Sequence, residues 1–372
     1  MPIVPAKTIS SRRERIIHES PPAGEAATPV ETARPFGDLE PAVRVGRFNR
    51  LKERVTLGSF LRGARLPPGE CVIYASREDA EALRVDLGGM RVVLARCPRL
   101  LPTTDRSACN IVPLAPIVLA NVLRAHGAAV RIVDLHRTGR STGKAFEEEK
   151  EEVPLADWEA VLEGRPPARL KRYIDRLVRR IGPQTVDAVG LSVETAGGMP
   201  LSLCLAREIR SRFAVPTIIG GRGLEFPFPL FHRHPVAAVI YGEGELPLLL
   251  CLDALARHRP LGGVPGLLRP TGRGDVESNH QVFHDLDVRA RFDLEDVPLE
   301  GYDLEDPAAE PPRAILDEGS GPLVPYQFNV GCPFGCGFCN SFSRRTYRLR
   351  APALVAADLT HAVREYGVHR FY

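Results

Sequence analysis

The sequence has no hydrophobic run long enough to cross a membrane. In 372 residues, the longest nearly apolar stretches are 113–123 and 246–255. Both are well short of the ~20 residues that a bilayer requires, so they predict buried helices instead. We therefore expect a cytoplasmic protein with no membrane partner.

Lysine is scarce, and the net charge is small. Only five of the 49 basic residues are lysine, the arginines are spread along the whole chain, and the formal net charge is +3. A nucleic-acid-binding protein would instead gather its cations into a patch or stripe. Nucleic acid is therefore not an expected partner. With 44% hydrophobic and 26% charged residues, the composition is that of a globular protein with room for two domains.

The spacing of apolar residues divides the chain into successive regions. Residues 1–45 are rich in Pro, Ala, Glu and Arg without periodicity and predict a disordered leader, followed by an N-terminal extension over 46–88. From 89 to 258, short apolar runs alternate with segments of helical periodicity. This alternation predicts an α/β domain with a doubly wound, parallel, Rossmann-like sheet. The charged stretch 137–185 predicts surface helices inserted in one crossover.

The rest of the chain is expected to be a linker and the start of a second domain. Residues 259–320 are dense in proline and glycine and predict a linker with little core, and residues 321–372 open the second domain. The predicted strands are 71–75, 90–95, 129–135, 188–193, 217–220, 237–241, 323–330 and 368–372. The predicted helices are 77–87, 113–126, 201–213, 245–258 and 351–366.

Three of the eight cysteines lie close together. Cys332, Cys336 and Cys339 form a Cys-x3-Cys-x2-Cys pattern in a glycine-rich stretch directly after the predicted strand 323–330. Glycines permit the tight turn that brings three thiolates to one small group, and thiolates select zinc or iron–sulfur clusters. Structural zinc takes a fourth Cys or His nearby, but His361 is 22 residues beyond Cys339. The pattern favours a 4Fe-4S cluster with one open iron; zinc and a fortuitous triplet are the alternatives.

This cysteine pattern, with Phe338 before the last cysteine, resembles the radical S-adenosylmethionine (SAM) superfamily. In that superfamily the open iron of the cluster binds SAM, which is cleaved to a 5′-deoxyadenosyl radical. The resemblance implies that Cys332, Cys336 and Cys339 are the cluster ligands and that Phe338 packs near the adenine. It also implies that residues 321–372 form the first β/α unit of a partial TIM-like barrel.

Small residues follow several predicted strands of the preceding domain. Ligands bind a Rossmann-like sheet at these carboxyl ends, but no Gly-x-Gly-x-x-Gly follows the first strand, so dinucleotide binding is disfavoured. Instead Ser192, the pair Gly220 and Gly221, and the run 242–245 close three later strands. Together they leave room for a broad, flat ligand close to the backbone.

The order of these strand ends resembles the cobalamin-binding domain that precedes the barrel in one large class of radical SAM enzymes. The resemblance covers about residues 90–350. It implies that Ser192 lies under the nucleotide tail of cobalamin and that Gly220 and Gly221 flank the channel of the tail. The residues implied to line the loop beside it are Gly242, Glu243, Gly244 and Glu245. Ordinary strand-end turns are the alternative for the glycines, and a helix-dipole acid is the alternative for Glu245.

One further pattern suggests a cobalt ligand but has the wrong position. His136 lies in an Asp-x-His-x-x-Gly pattern over 134–139, which supplies a histidine ligand to cobalt in other cobalamin proteins. There the pattern follows the first strand, whereas here it follows the second predicted strand. We therefore do not expect His136 to ligate cobalt. We expect Cys97 and Cys109, after the first sheet strand, to be ordinary loop thiols.

The two halves together resemble a cobalamin-dependent radical SAM enzyme with a 4Fe-4S cluster, SAM and cobalamin as cofactors. The resemblance implies abstraction of a substrate hydrogen, followed in many members by methyl transfer to carbon, although the fold does not set the reaction. It also implies a small-molecule or peptide substrate and a reductant such as flavodoxin or ferredoxin. A methylthiotransferase is disfavoured because no group of cysteines precedes Cys332.

The length after the cysteines bears on whether the chain is catalytic. Only 33 residues follow Cys339, which is about one of the eight β/α units of a full barrel. We therefore expect an incomplete barrel whose remainder is missing or comes from another chain. A non-catalytic cobalamin-binding module, or half of a split enzyme, is the alternative to an enzyme.

Overall fold

The computed structural model describes several separate ranges of the chain. They are 53–56, 71–98, 112–135, 160–161, 165–194, 198–221, 236–270, 276–278, 281–297, 299, 302, 322–334 and 347–372. All of them belong to one compact unit, Pro41–Tyr372. The predicted leader and the following parts of our predictions lie outside the described residues: 136–159 of the insertion, Cys109, His136, Cys336, Phe338 and Cys339.

Strands and helices alternate through the first two thirds of the described chain. In chain order the elements are β1 (Glu53–Thr56), β2 (Cys71–Ala75), α1 (Arg77–Glu81), β3 (Arg91–Arg96), α2 (Leu114–Ala125), β4 (Ala129–Asp134), α3 (Ala168–Ile181), β5 (Ala188–Ser192), α4 (Met199–Phe213), β6 (Thr217–Gly220), β7 (Ala238–Ile240) and α5 (Glu245–Ala256). From β3 to α5, the predicted elements are confirmed with ends shifted by one or two residues. The helix predicted over 77–87 ends earlier, at Glu81.

Shorter elements follow. They are β8 (Leu267–Pro270), β9 (Val276–Ser278), β10 (Val282–His284), β11 (Leu323–Val324), β12 (Asn329–Val330), β13 (Arg348–Leu349), α6 (Pro352–Tyr366) and β14 (Arg370–Phe371). Short 3-10 turns occupy Pro183–Thr185, Leu261–Gly263 and Leu286–Val288. No helix within the described ranges is both long and apolar enough to cross a membrane.

Among the described residues, the largest sheet has seven strands, in the order β4-β3-β5-β6-β7-β8-β9. The strands from β3 to β7 are parallel, and β8 and β9 add to the β7 edge antiparallel. Counted in chain order, the parallel strands are arranged 2-1-3-4-5, so the winding reverses between β3 and β5. In open α/β sheets, ligands bind beside the carboxyl ends of the strands at such a reversal.

Helices cover both faces of this sheet. Side chains alternate between the faces along each strand. Val93 and Leu191 belong to a core that includes apolar residues of α3 and α4. Leu94 and Ile218 belong to a second core, which includes apolar residues of α2 and α5. The predicted α/β class, with a doubly wound and largely parallel sheet, is confirmed.

Helix α3 differs from the surface helix that the charged stretch 137–185 predicts. Its apolar residues recur every three or four positions, and Leu170, Ile174, Leu177 and Ile181 are buried against the sheet. This spacing places them on one face of the helix, with the arginines on the other. The helix is therefore the crossover from β4 to β5, and its many charges conceal a regular apolar stripe in the sequence.

The region 259–320 also differs from the linker with little core that its composition predicts. Strands β8 and β9 extend the large sheet, while β10 joins β2 in a separate sheet of parallel strands with β1. We call residues 281–297 the strap. Phe283 belongs to the buried residues of the strap, and Phe292 and Leu294 pack in a third core with Ile117 of α2. Strands of three or four residues are too short to show periodicity in the sequence.

The last part of the chain forms a β–α–β unit. Strand β11 pairs in parallel with β14, and α6 connects them. The strand predicted over 323–330 is divided into β11 and β12, whereas the predicted helix and final strand are confirmed. On α6, the Asp358 carboxylate accepts hydrogen bonds from Arg350 Nε at 2.9 Å, Tyr326 OH at 2.7 Å and the Phe292 amide at 3.0 Å. These contacts fix the β–α–β unit to the strap.

Candidate functional site

Small residues form a partly exposed strip at the carboxyl ends of β5 and β6. Gly190, Ser192 and Gly220 are partly exposed, whereas Val189 and Leu191, which alternate with Gly190 and Ser192 along β5, are buried. Ser192 is the register partner of Gly220 on β6. We call Gly190, Ser192 and Gly220 the ledge. The structure thus brings together two residues that the sequence separates by 28 positions, at the edge where ligands bind such sheets.

The two adjacent glycines at the end of β6, Gly220 and Gly221, differ in whether the backbone requires glycine. Gly221 has φ of +128°, and a Cβ atom there would lie 2.2 Å from the carbonyl oxygen of Val193. Only glycine fits this position, so a strand-end turn is sufficient to explain it. A Cβ on Gly220 would meet no atom nearer than 3.6 Å, in Ile240. Gly220 therefore leaves surface open rather than satisfying a backbone requirement.

Arg96, the last residue of β3, is buried at the carboxyl end of the strand. Arg96 Nη1 lies 3.3 Å from Asp134 Oδ2, at the end of β4, and Arg96 Nη2 lies 2.9 Å from Glu194 Oε2, just after β5. The Tyr302 hydroxyl donates to the same Asp134 oxygen at 2.8 Å. Burial opposes the charge on Arg96, but the two carboxylates outweigh burial and raise its pKa. Asp134, the first residue of the Asp-x-His pattern, is thus engaged by Arg96.

Cys97 is a core residue rather than the loop thiol that we expect from the sequence. Its side chain is buried among apolar residues on the α3 and α4 face, and its amide donates to the Ser192 carbonyl at 2.9 Å. Burial raises the pKa of the Cys97 thiol well above its ordinary value. The thiol therefore stays protonated, on the face of the sheet opposite the ledge.

Two buried carboxylates follow β7: Glu243 in the loop and Glu245 at the first residue of α5. Glu243 forms a two-point ion pair with Arg348 of β13, in which Nη1 donates to Oε2 at 2.9 Å and Nη2 donates to Oε1. Glu245 pairs with Arg289 of the strap, whose Nε donates to Oε1 at 2.8 Å. Between the two carboxylates, His284 Nε2 lies 3.5 Å from Glu243 Oε2 and 3.3 Å from Glu245 Oε2. We call these five residues the carboxylate–histidine cluster.

Geometry sets the charge of His284 in this cluster. Its Nδ1 lies 2.9 Å from the Asp285 carbonyl oxygen, which can only accept, so Nδ1 carries a hydrogen. Its Nε2 faces two carboxylates, which favour a second hydrogen there. Burial lowers the pKa of His284, but the charge and hydrogen bond of Glu245, followed by Glu243, outweigh burial and raise it. Burial likewise raises the pKa of Glu245, yet Arg289 and His284 hold it well below its ordinary value.

The buried cluster limits what the run 242–245 can offer to a ligand. The carboxylates of Glu243 and Glu245 are both committed to protein partners, while Gly242 and Gly244 are partly exposed. A bulky ligand beside this loop would therefore meet glycines and backbone, not carboxylates. The assignment of the run to cofactor contacts stays a prediction.

The cysteine loop is described only at its two ends. Cys332 is partly buried and follows β12 after Gly331, which has φ of +92°. Strands β12 and β13 pair antiparallel, so they bring together the two ends of residues 331–347. Because Cys336, Cys339 and Phe338 lie outside the described residues, their roles stay predictions. Within the described ranges, no group of three or more Cys, His, Asp or Glu is arranged to hold a metal ion.

Sequence reasoning missed the basic partners of the site: Arg96, His284, Arg289 and Arg348. A usable signal is the pair Glu243 and Glu245, which lies between a buried strand and an apolar helix. Buried carboxylates require cations, and Arg348 follows the cysteines as one of four arginines in residues 344–350. The pairing itself spans 105 positions, which no local pattern specifies.

Two sequence relatives are methyltransferases. The chain is 27% identical over 205 residues to an uncharacterized methyltransferase of Pyrococcus horikoshii, covering 52% of this chain and 40% of the relative. It is 26% identical over 204 residues to the hopanoid C-3 methylase of Methylococcus capsulatus, covering 51% of this chain and 35% of the relative. The match thus spans less than half the length of either relative. No family model matches the chain.

Comparison with solved structures gives matches that each cover part of the chain. The radical SAM methyltransferase TsrM from Kitasatospora setae, solved with tryptophan substrate and a SAM analogue, has a TM-score of 0.44 and 19% identity, covering 74% of this chain and 46% of that chain. The cobalamin-dependent S-adenosylmethionine radical enzyme OxsB, solved in an apo, selenomethionine-labelled form, has a TM-score of 0.48 and 17% identity, covering 77% of this chain and 33% of that chain. The proteins that this chain is similar to thus include two methyltransferases among sequence relatives, and a radical SAM methyltransferase and a cobalamin-dependent radical SAM enzyme among solved structures.

Proposed function

We propose that this chain binds cobalamin and a 4Fe-4S cluster and takes part in radical SAM chemistry, with methyl transfer to a carbon atom as the reaction class. The observation that carries the proposal is the joining, in one compact unit, of a three-cysteine loop and a doubly wound sheet with an open ledge. Both sequence relatives are methyltransferases, which supports the reaction class. The substrate is a small molecule or peptide.

The residues of this chain fit both proposed cofactors, the 4Fe-4S cluster and cobalamin. Three thiolates, from Cys332, Cys336 and Cys339, suit an iron–sulfur cluster and leave one iron free for SAM. Cys332 is partly exposed and is held by the β12–β13 pair. When bound, the cluster and SAM supply a carbon-centred radical, and cobalamin supplies a methyl group. The protein supplies binding and orientation for these groups.

The ledge is the part of the sheet that suits the nucleotide tail of cobalamin. Gly220 has no side chain to occupy the space above β6, where a Cβ would meet no atom nearer than 3.6 Å. The Ser192 hydroxyl can donate or accept a hydrogen bond. Gly221 keeps the next backbone close to Val193, so the ledge ends in a fixed turn. The Cys97 thiol is protonated and faces the opposite core, so it is unsuited to ligate cobalt.

Anaerobic reconstitution of the full chain tests this function. The chain would be loaded with iron, sulfide and hydroxocobalamin, desalted, and assayed for metal content and for 5′-deoxyadenosine formed from SAM and a reductant such as reduced flavodoxin or ferredoxin. We expect about four irons per chain, lost in Cys336→Ser, and cobalamin that stays bound. Both cofactors without 5′-deoxyadenosine would favour a non-catalytic cobalamin-binding module or one half of a split enzyme. Absence of cobalamin binding would contradict the proposal.

A further inference from the structure

The β13 end of the cysteine loop contacts the loop after β7 directly. Strands β12 and β13 bracket residues 331–347, and only Gly331 separates Val330 from Cys332. We call β12 and β13 the loop base. Arg348 lies on β13, and Glu243 lies three residues beyond the end of β7, at the same edge of the sheet as the ledge. A contact between them therefore links the two places that the proposed function assigns to cofactors.

The Arg348 side chain is held from several directions. Its guanidinium makes the two-point pair with Glu243, and Nη1 also donates to the His284 carbonyl at 2.6 Å. Its Cζ atom lies 5.3 Å from the ring centroid of Phe283. The exposed fractions of the Arg348 and Glu243 side chains are 8% and 4%. A two-point pair between arginine and carboxylate restricts orientation as well as distance.

A second connection reaches the other side of the cysteine loop. Glu245 pairs with Arg289, and Arg289 Nη2 donates to Gln327 Oε1 at 3.0 Å. Arg289 Nη1 also donates to the Gln327 carbonyl at 3.3 Å. Gln327 lies two residues before β12, so the two glutamates reach segments on both sides of the cysteines. His284 lies between the two carboxylates, so it links the Glu243–Arg348 pair to the Glu245–Arg289 pair.

Polar contacts, rather than the apolar core, locate the loop base. The core that joins α2, the strap and the β–α–β unit contains Val324 and Val368, but none of the described residues of β12 or β13. A buried ion cluster is a weaker source of stability than well-packed apolar residues of the same volume. It does, however, impose one geometry on the groups that it connects, and this is what two cofactors that react together require.

We propose that Glu243 and Glu245 are positioning residues, which act through Arg348 and Arg289 to hold the cysteine loop at one distance and orientation from the ledge. The proposal rests on the proposed function, because it concerns the separation of the two cofactors. It assigns to the glutamates a role in placing the cofactors without touching them. Loss of the Glu243 connection should leave each cofactor bound and change their relative position.

Distance measurement between the two cofactors is the direct test. Pulsed EPR on the full chain loaded with cob(II)alamin and the reduced cluster would give the distribution of cobalt-to-cluster distances. We expect a narrow distribution in the natural sequence and a broader or shifted one in Glu243→Gln and in Arg348→Met, with cobalt and iron content unchanged. The conservative Arg348→Lys should restore part of the narrow distribution. The matched control is Arg364→Met, on the exposed face of α6, and should leave it narrow.

A second measurement needs no cofactor and therefore separates this proposal from the proposed function. Hydrogen exchange on the cofactor-free chain should show amides of 327–334 and 347–350 exchanging about 10-fold faster in Glu243→Gln, with β3, β5 and β6 unchanged. Failure of the natural chain to bind cobalamin would refute the proposed function alone. An unchanged distance distribution in both loaded variants, or unchanged exchange at the loop base, would overturn the positioning role.

Discussion

The ledge and the two glutamates of the carboxylate–histidine cluster follow neighbouring strands at the carboxyl edge of one sheet. The ledge and the cluster differ in burial, charge and side-chain size. The ledge has small, partly exposed residues and no ionisable side chain, whereas the cluster buries five charged groups, three of them cationic, from the β7 loop, the strap and β13. The open space at the ledge suits a large ligand, whereas the ion pairs of the cluster suit a rigid connection between segments of the chain. Under the proposed function, the ledge contacts the ligand and the cluster positions the cysteine loop.

The largest expected effect is from breaking the cluster at its most connected residue. Replacing Arg348 with methionine keeps the volume but leaves the Glu243 carboxylate buried beside His284 without its two-point partner. Removing one member of a buried pair costs about 3–5 kcal/mol, and we expect a loss at the lower end because His284 remains. Urea denaturation of the cofactor-free chain measures it. Arg364→Met, exposed on α6, should stay within about 0.5 kcal/mol.

Substitutions at Gly220, in the ledge, and at its neighbour Gly221 test whether the space above Gly220 is open. Gly221→Ala would place a methyl group 2.2 Å from the Val193 oxygen at a φ of +128°, so we expect about 3 kcal/mol of destabilisation. Gly220→Ala meets no atom nearer than 3.6 Å and should change stability by about 0.5 kcal/mol at most. Equal losses in both variants would mean that the ledge is as closely packed as the rest of the sheet.

The pH dependence of stability should come from the cluster and not from the ledge. His284 has a pKa above its ordinary value of 6.5, so its favourable interactions are fully present below pH 6.5 and are lost as the pH rises through the folded-state pKa. Stability should therefore fall above pH 6.5, by up to about 1.4 kcal/mol per pH unit. Glu245 has the opposite sign, because its lowered pKa makes stability fall as the pH drops below 4.5.

Urea denaturation of the natural chain and of His284→Gln between pH 6 and 9 checks this sign. The substitution should remove most of the alkaline slope, whereas His369→Gln, at an exposed position, should keep it. A slope that survives in His284→Gln would show that another group titrates in this range and that the cluster does not carry a protonated histidine.

The sequence predicts the sheet far better than it predicts the cluster. Short apolar runs specify β3, β5, β6 and β7 because most residues of these strands are buried on both faces of the sheet. The small residues that end β5 and β6 place Ser192 and Gly220 at the carboxyl edge of the sheet. Helix α3 is misread because its arginines dominate its composition, although Leu170 and Ile174 have the spacing of a buried face. The average composition of 137–185 therefore does not show that the apolar residues of α3 lie on one face of the helix.

The cluster could not be predicted because its members are brought together only by the tertiary fold. His284 follows the Glu243 position by 41 residues and Arg348 by 105, and the strap between them has strands too short for a periodic signal. The resemblance to the cobalamin-binding domain implies that Glu243 and Glu245 line a loop beside the cofactor. In the structure they point inward, toward cations from two other segments.

The smallest expected change in stability, and the most specific functional one, comes from filling the ledge. Ser192→Leu places a branched side chain where the proposed nucleotide tail lies, at a partly exposed position, so stability should change by less than about 1 kcal/mol. Cobalamin affinity should fall about 10-fold or more, measured by equilibrium dialysis. Ser211→Leu, at an exposed position on α4, is the matched control and should bind cobalamin normally. Weakened binding in both would mean that the effect is not local to the ledge, and normal binding in both would remove the ledge from the cobalamin site.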